Sequence, residues 1–227
     1  MRSSWAASAL DWWREAGVDT FVGEEPRDWL SPKGKAAPAT PVPPPPTALP
    51  DTLDGFRDWL ATTAELPFAA PNVRRDLPEG DPDAGLMVLI DMPSAEGGLL
   101  AGEAGALFDR MLVAIGRSRE SIYLASLSPI RAPTGIIDDR HAARLGEIAR
   151  HHLGLVAPRT LLAFGDTCGK ALVGAPVAAA RGRWHEVASP AGPIRTLVTI
   201  KPENLIGMNA LKKLAWADLQ LLMEELK

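Results

Sequence analysis

The chain has 227 residues, of which 46% are hydrophobic and 23% are charged. This composition is typical of a globular protein with one core, and no apolar run reaches the roughly 18 residues of a membrane span. The net charge of −4 is unevenly distributed along the chain. Residues 1–83 hold 8 basic and 14 acidic side chains, whereas residues 84–227 hold 16 basic and 14 acidic ones. The mildly basic second part permits contact with nucleic acid without requiring it.

The cysteine content and the first residues limit the class of protein further. A single cysteine, Cys168, excludes a disulfide framework, a cysteine-based zinc site and an iron–sulfur cluster, and we expect neither a metal nor another cofactor. The N-terminus carries Asp11 and Glu15 and lacks the apolar core of a signal peptide. We therefore expect a cytoplasmic protein without a membrane segment.

The N-terminal part predicts a tethered segment. Residues 1–35 contain a tryptophan-rich stretch with Trp5, Trp12 and Trp13. Residues 36–50, AAPATPVPPPPTALP, form a proline-rich tract, which favours polyproline II and indicates a semi-rigid linker. Large apolar side chains ahead of such a linker need a surface on which to bury. Residues 1–35 are therefore expected either to fold back on the main domain or to dock on a protein partner.

Residues 51–227 show the pattern of an α/β domain. A first helix is predicted over DTLDGFRDWLATTAEL, with Asp51 as its N-cap. Four apolar strands follow, at 86–92, 121–127, 160–165 and 195–200, and they alternate with helices at 103–116, 138–154, 167–174 and 204–226. Continuous apolar strands that alternate with helices predict a three-layer α/β/α fold with a central, mainly parallel four-stranded sheet.

The loops that follow the four strands are the candidate functional region. The carboxyl ends of parallel strands share one edge of a sheet, and ligands of such folds bind at that edge. The loops are residues 91–101, 126–134, 165–167 and 201–204. Two charged residues of these loops have a functional and an ordinary interpretation. In the functional one, Asp91 activates water or holds a metal, and Lys201 binds an anion. In the ordinary one, both are solvated side chains.

Other features of these loops are weaker signals. Arg131 could contact a phosphate, although most surface arginines have no specific ligand. The third loop and its helix read FGDTCGKAL, in which the spacing is one residue short of a P-loop and Ala171 replaces the serine or threonine that would meet magnesium. The amides of Gly165 and Thr167 at this helix start could still meet a DNA phosphate.

Beyond these patterns, the chain from about Asp51 to Lys227 resembles a known family. The resemblance is carried in order by GDPDAGLMVLI, AGEAGALFDRMLVAIGRSRESIYLA, LGLVAPRTLLAFGDTCGKALVG, RGRW and NALKKLAWADLQLL. These segments are similar to the uracil-DNA glycosylase superfamily, closest to its iron–sulfur branch, family four. The resemblance implies the same α/β/α fold and a site that excises a base from DNA.

The resemblance gives two residues catalytic roles. The family's first motif, Gly-Glu-Ala-Pro-Gly, here reads Ile90-Asp91-Met92-Pro93-Ser94. Asp91 thus stands for the acid, which would orient water or stabilise a developing sugar cation. Lys201 stands for the histidine that would stabilise the departing uracil anion, and a lysine would do so as a flexible charge rather than a fixed imidazole.

The remaining family positions differ in this chain. The expected base pocket contains Pro93, Leu100 and Ser126, where Leu100 replaces an aromatic residue that would stack on the base and Ser126 replaces an asparagine that would read its edge. Ile130 stands where a cluster cysteine would fall. We expect DNA contacts from five residues: Arg131, Gly165, Thr167, Pro202 and Asn204.

Three functions are compatible with this pattern. We expect a DNA-associated protein of repair or replication in which base excision is lost or altered, because the stacking face, the amide and the histidine have changed together. The alternative is an active DNA glycosylase that uses Asp91 and Lys201. A third possibility is a non-catalytic replisome accessory subunit similar to the psi subunit of bacterial DNA polymerase III, with the N-terminal tryptophans docked on a partner.

Overall fold

The computed structural model describes Trp12 and residues 48–226. The chain divides into two units, Met1–Pro44 and Pro45–Lys227, and the sheet and its helices belong to the second unit. Apart from Trp12, the predicted tryptophan-rich segment (1–35) lies outside the described residues, as does nearly all of the predicted proline-rich linker (36–50). No helix within the described ranges is both long and apolar enough to cross a bilayer.

The second unit is built on one sheet of six strands. They are β1 (Glu79–Gly80), β2 (Leu86–Ile90), β3 (Tyr123–Ser126), β4 (Thr160–Phe164), β5 (Trp184–Ser189) and β6 (Gly192–Thr199). Their order across the sheet is β1-β3-β2-β4-β6-β5. The four central strands are mutually parallel, and β1 and β5 add to β3 and β6 in antiparallel orientation.

The prediction of an α/β sheet is confirmed, but its number of strands is corrected from four to six. The four predicted strands are the four central ones. The two additional strands escape a search for apolar runs for physical reasons: β1 has only two residues, both exposed, and β5 is an edge strand in which only Val187 is buried. An edge strand needs no second apolar face.

Seven α-helices surround the sheet in the described part of the chain. They are α1 (Leu53–Thr62), α2 (Gly102–Ala114), α3 (Asp139–Val156), α4 (Gly165–Val173), α5 (Val177–Ala180), α6 (Pro202–Leu205) and α7 (Asn209–Glu225). Two details differ from the prediction. Thr52, not Asp51, caps α1, since its hydroxyl accepts a hydrogen bond from the Gly55 amide. The last predicted helix is divided into α6 and α7 around Gly207, which has a φ of +73°.

Two hydrophobic clusters cover the two faces of the sheet. Alternate residues of each central strand point to opposite faces, as the pleat requires. One face packs against α1, α3, α4 and α5, and the other packs against α2 and the Leu219 and Leu222 side of α7. All five residues of β2 and of β4 are buried, because each of these strands has a helix layer on both sides. This arrangement is the predicted three-layer architecture.

The strand order defines where a ligand would bind. The chain runs from β2 outward to β3, then returns past β2 to β4 and continues to β6. The direction of winding therefore reverses between β2 and β4, and a crevice opens at such a switch point, beyond the carboxyl ends of the strands. Residues that immediately follow β2, β4 and β6 are thus candidates for a shared site.

A buried polar pair joins β3 to α3 beneath α1. The Tyr123 hydroxyl lies 3.0 Å from Nε2 of His152, and the Phe56 ring of α1 lies 4.8 Å from the His152 ring. Burial raises the pKa of Tyr123 to about 12, and burial together with the nearby Arg57 lowers the pKa of His152 to about 3. His152 is therefore neutral in the folded protein at any pH above about 3.

The pH dependence of stability tests this buried histidine. Between pH 6.5 and pH 4 the unfolded chain binds a proton at His152 and the folded chain does not, so the free energy of unfolding should fall as the pH is lowered. His152 should lower the free energy of unfolding by about 1.4 kcal/mol for each pH unit in this range. In His152→Leu this contribution should disappear, which urea denaturation at several pH values can measure.

Tyr123→Phe is the matched control. It removes the hydrogen-bond partner, at a cost of about 1–3 kcal/mol, but leaves the histidine buried, so the wild-type slope should remain. Equal pH slopes for the wild type and His152→Leu would contradict this account.

Candidate functional site at the carboxyl ends of the strands

An ion pair joins the first residue after β2 to the second residue after β6. Nζ of Lys201 lies 3.1 Å from Oδ2 of Asp91. The other carboxylate oxygen, Oδ1, accepts a hydrogen bond from the Met92 amide at 2.9 Å. The Asp91 side chain is 11% exposed and the Lys201 side chain is 30% exposed, so the pair is partly removed from water. The two residues to which the family resemblance gives catalytic roles are thus in direct contact.

The lysine reaches Asp91 by passing over the end of β4, which lies between β2 and β6. Gly165 occupies that position with a φ of +87°, in the left-handed region that favours glycine. A methyl group at Gly165 would lie 3.5 Å from Cδ of Lys201. That distance is an ordinary van der Waals contact, so the lysine side chain passes directly over Gly165. Pro202, the first residue of α6, follows Lys201 and ends the strand.

A second buried ion pair anchors β6 just before Lys201. Asp218 of α7 is fully buried, and its carboxylate accepts hydrogen bonds from Thr199 at 2.7 Å and from two guanidinium nitrogens of Arg181 at 3.0 and 3.2 Å. Arg181 also donates to the Leu214 carbonyl at 2.6 Å. Burial raises the pKa of the Asp218 carboxyl, and its two partners oppose that shift. This network fixes the end of β6 against α7.

Sequence reasoning missed the Arg181–Asp218 pair. The available signal was an aspartate at position 218, next to apolar residues on the buried side of the last helix, because an isolated carboxylate is rarely buried without a partner. The identity of its partner depends on how α7 packs against the segment between α5 and β5, which the sequence pattern does not specify.

The three residues expected to form a base pocket are not all at the same place. Pro93 is buried at the strand-end edge, where its carbonyl accepts a hydrogen bond from Arg131 at 2.8 Å, and Ser126 is half-buried at the end of β3. Leu100 is only 2% exposed and lies in the hydrophobic cluster with Phe108. Its side chain therefore contributes to the core between α2 and the sheet.

Two cavities of about 260 Å³ each lie near the ion pair. The first is bordered by Lys201, Gly165 and Asn204, with apolar walls from α5 and α7. The second is bordered by Arg131 together with three carboxylates: Glu96, Glu103 and Glu203. Of the remaining residues expected to contact DNA, Thr167 is half-buried in the first turn of α4 and Pro202 is buried.

The residues of this site do not fit an iron–sulfur cluster. Cys168 is fully buried on α4, beneath the ion pair, where its thiol faces the Leu89 carbonyl at 3.8 Å and burial raises its pKa well above the usual value. Ile130, at the position of a cluster cysteine in the resembling family, is fully buried in the hydrophobic core. Within the described ranges, no group of three or more histidine, cysteine or carboxylate side chains is placed to hold a metal.

Comparison with protein families identifies the part of the chain that carries the fold. Residues 77–220 match the family model of the uracil DNA glycosylase superfamily. The match covers more than half of the chain, from just before β1 into α7, and it includes all six strands and both members of the Asp91–Lys201 pair.

The contribution of the Arg181–Asp218 pair to stability can be measured directly. Arg181→Met leaves a fully buried carboxylate without its cation, so the free energy of unfolding should fall by about 3 kcal/mol. Arg183→Met is the matched control, because Arg183 is exposed and, among residues 48–226, donates only to the Ala179 carbonyl. Its effect should stay within about 0.5 kcal/mol. Equal losses in urea denaturation would contradict a special role for Arg181.

Proposed function

The chain belongs to the uracil DNA glycosylase superfamily, and from that premise we propose that it is a DNA-associated member, acting in repair or replication, that no longer excises bases. DNA association follows from the family. The loss of excision is inferred from the residues at the strand ends, and above all from the direct contact between Asp91 and Lys201.

The ion pair carries the proposal because base excision needs these two charges apart. A carboxylate that stabilises a sugar cation must face the sugar, and a cation that stabilises the departing base must face the base. The N-glycosidic bond would then lie between the two groups. Here Nζ of Lys201 is 3.1 Å from Oδ2 of Asp91, and Oδ1 already accepts the Met92 amide. Each charge is neutralised by the other instead of being directed at a substrate.

The site also has fewer groups that could bind a base flipped out of the DNA. Enzymes that act on bases extrude the nucleotide into a pocket, stack it against a ring and hydrogen-bond its edge. Leu100 is an aliphatic residue packed into the core, and Ser126 offers a hydroxyl in place of an amide. Lost polar contacts reduce discrimination between substrates most strongly, so a uracil base would gain little from this site.

The charge at the rim also disfavours a DNA backbone at this edge. Arg131, a residue expected to contact DNA, borders the same cavity as Glu96, Glu103 and Glu203. Its guanidinium is in addition bound to the Pro93 carbonyl. Binding of DNA draws most of its affinity from phosphate contacts with Lys and Arg, and clustered carboxylates oppose such contacts.

One observation favours the alternative of an active glycosylase. The acid and the cation lie beside the switch point of the sheet, where this class of fold binds ligands, and Lys201 retains partial exposure. If a bound nucleotide separated the pair, Asp91 and Lys201 would occupy suitable positions for excision. The two functions therefore make opposite predictions for the same assay.

The assay is release of base from uracil-containing single- and double-stranded DNA. We expect no release by the wild type, because each charge is held by the other. We expect none from Asp91→Asn or Lys201→Ala either, because each variant keeps only one of the two charges that excision needs. A glycosylase of known activity on the same oligonucleotides verifies the substrates, and circular dichroism verifies that the variants are folded.

Release by the wild type that is abolished in both variants would overturn the proposal and establish the active alternative. Release that persists in both variants would also overturn it and would assign the chemistry to other residues.

A further inference from the structure

The outward side of α7 carries a stripe of residues whose chemistry differs from that of the strand-end edge. Asn209, Lys213, Trp216 and Gln220 follow the spacing i, i+4, i+7, i+11, which places them on one side of the helix, and Lys212 lies beside them. All five are exposed, whereas Ala215, Asp218, Leu219 and Leu222 form the buried side. We refer to these five residues as the α7 stripe.

Trp216 is the unusual member of the α7 stripe. It is 40% exposed, although burying an aromatic ring of this size is strongly favourable. Its indole presents a flat face on which another ring can stack, and polar groups flank it along the helix. Its neighbours on the stripe are two amides and two lysines.

The charges of α7 are distributed so that the α7 stripe is purely cationic. Lys212 and Lys213 have no ion-pair partner among residues 48–226. Two of the three acidic residues of the helix lie elsewhere: Asp218 is buried against Arg181, and Glu225 in the last turn pairs with Arg195 at 2.8 Å. The third, Glu224, is exposed one turn beyond Gln220 on the same side, so the positive charge of the helix lies in its first two turns, at Lys212 and Lys213. The stripe therefore attracts anions in a protein whose net charge is −4.

We propose that the α7 stripe binds single-stranded nucleic acid, with Trp216 as a stacking platform for an unpaired base and Lys212 and Lys213 as phosphate contacts. This inference rests on the proposed DNA association and gives it a location away from the strand-end edge. Surfaces that bind single strands combine a cationic track with exposed aromatic rings, because every base has a face that can stack. From Asn209 to Gln220 the stripe spans about 16 Å, which is long enough for a few nucleotides.

The preference for a single strand follows from the same chemistry. In a duplex the faces of the bases are already stacked on each other, so an exposed indole on a convex helix gains no base contact there. The two lysines would contact phosphates of either form. Stacking on Trp216 should therefore make a single strand the tighter ligand.

Fluorescence anisotropy of the full chain with a short labelled oligothymidine, at low salt, tests the inference. Trp216→Ala should weaken the dissociation constant roughly tenfold, and Trp216→Phe should retain most of the affinity because it keeps a stacking ring. Lys212→Gln combined with Lys213→Gln should reduce the slope of log affinity against log salt by about 1.4, two phosphate contacts at about 0.7 each.

Val113→Ala is the control, since Val113 is an exposed apolar residue of α2 that borders neither the α7 stripe nor the two strand-end cavities. The affinity of this control variant for the oligothymidine should equal that of the wild type. Unchanged binding in the Trp216 and lysine variants would overturn the assignment of binding to the α7 stripe, and DNA association itself would stand. Tighter binding of a matching duplex than of the single strand would have the same consequence. A wild type that binds neither form would overturn both the inference and the DNA association on which it rests.

Discussion

The contact between Lys201 and Asp91 is the interaction on which the interpretation of this protein depends. It spans three strands, because Asp91 follows β2, Lys201 follows β6, and the end of β4 lies between them. The lysine side chain passes directly over Gly165, where a φ of +87° favours glycine. The two charged residues at the strand ends thus form a strut, that is, an ion pair that connects β2 to β6 across the carboxyl edge of the sheet. Folds of this class bind their ligands at this edge.

Other contacts of the fold hold this strut in position. The carboxylate of Asp218 fixes Thr199, two residues before Lys201, and Arg181 completes the charge balance of that buried site. The Asp91 carboxylate is oriented by the amide of its own neighbour, Met92. Superfamily membership and direct contact between Asp91 and Lys201 are compatible. The fold depends on packing on both faces of the sheet, whereas base excision depends on the positions of a few loop residues.

The sequence could predict those parts of the structure that follow from periodicity. The buried strands β2, β3, β4 and β6 are apolar runs, and the rule that parallel strands end at one edge places Asp91 and Lys201 together. Other parts depend on tertiary contacts. Strand β5 has an edge-strand pattern, and the pairing of Asp218 with Arg181 depends on how α7 packs. Leu100 is buried at a loop position with a backbone φ of +58°, a conformation that an apolar pattern does not predict.

The most direct measurement of the central claim is a double-mutant cycle of stability on Asp91→Asn and Lys201→Met. If the two residues form a structural ion pair, each single substitution leaves the other group without its partner, and the double variant should recover part of the loss. We predict a coupling energy of about 1 kcal/mol or more from urea denaturation. Losses that add to within about 0.3 kcal/mol would show that the pair does not hold the edge together and would contradict the account.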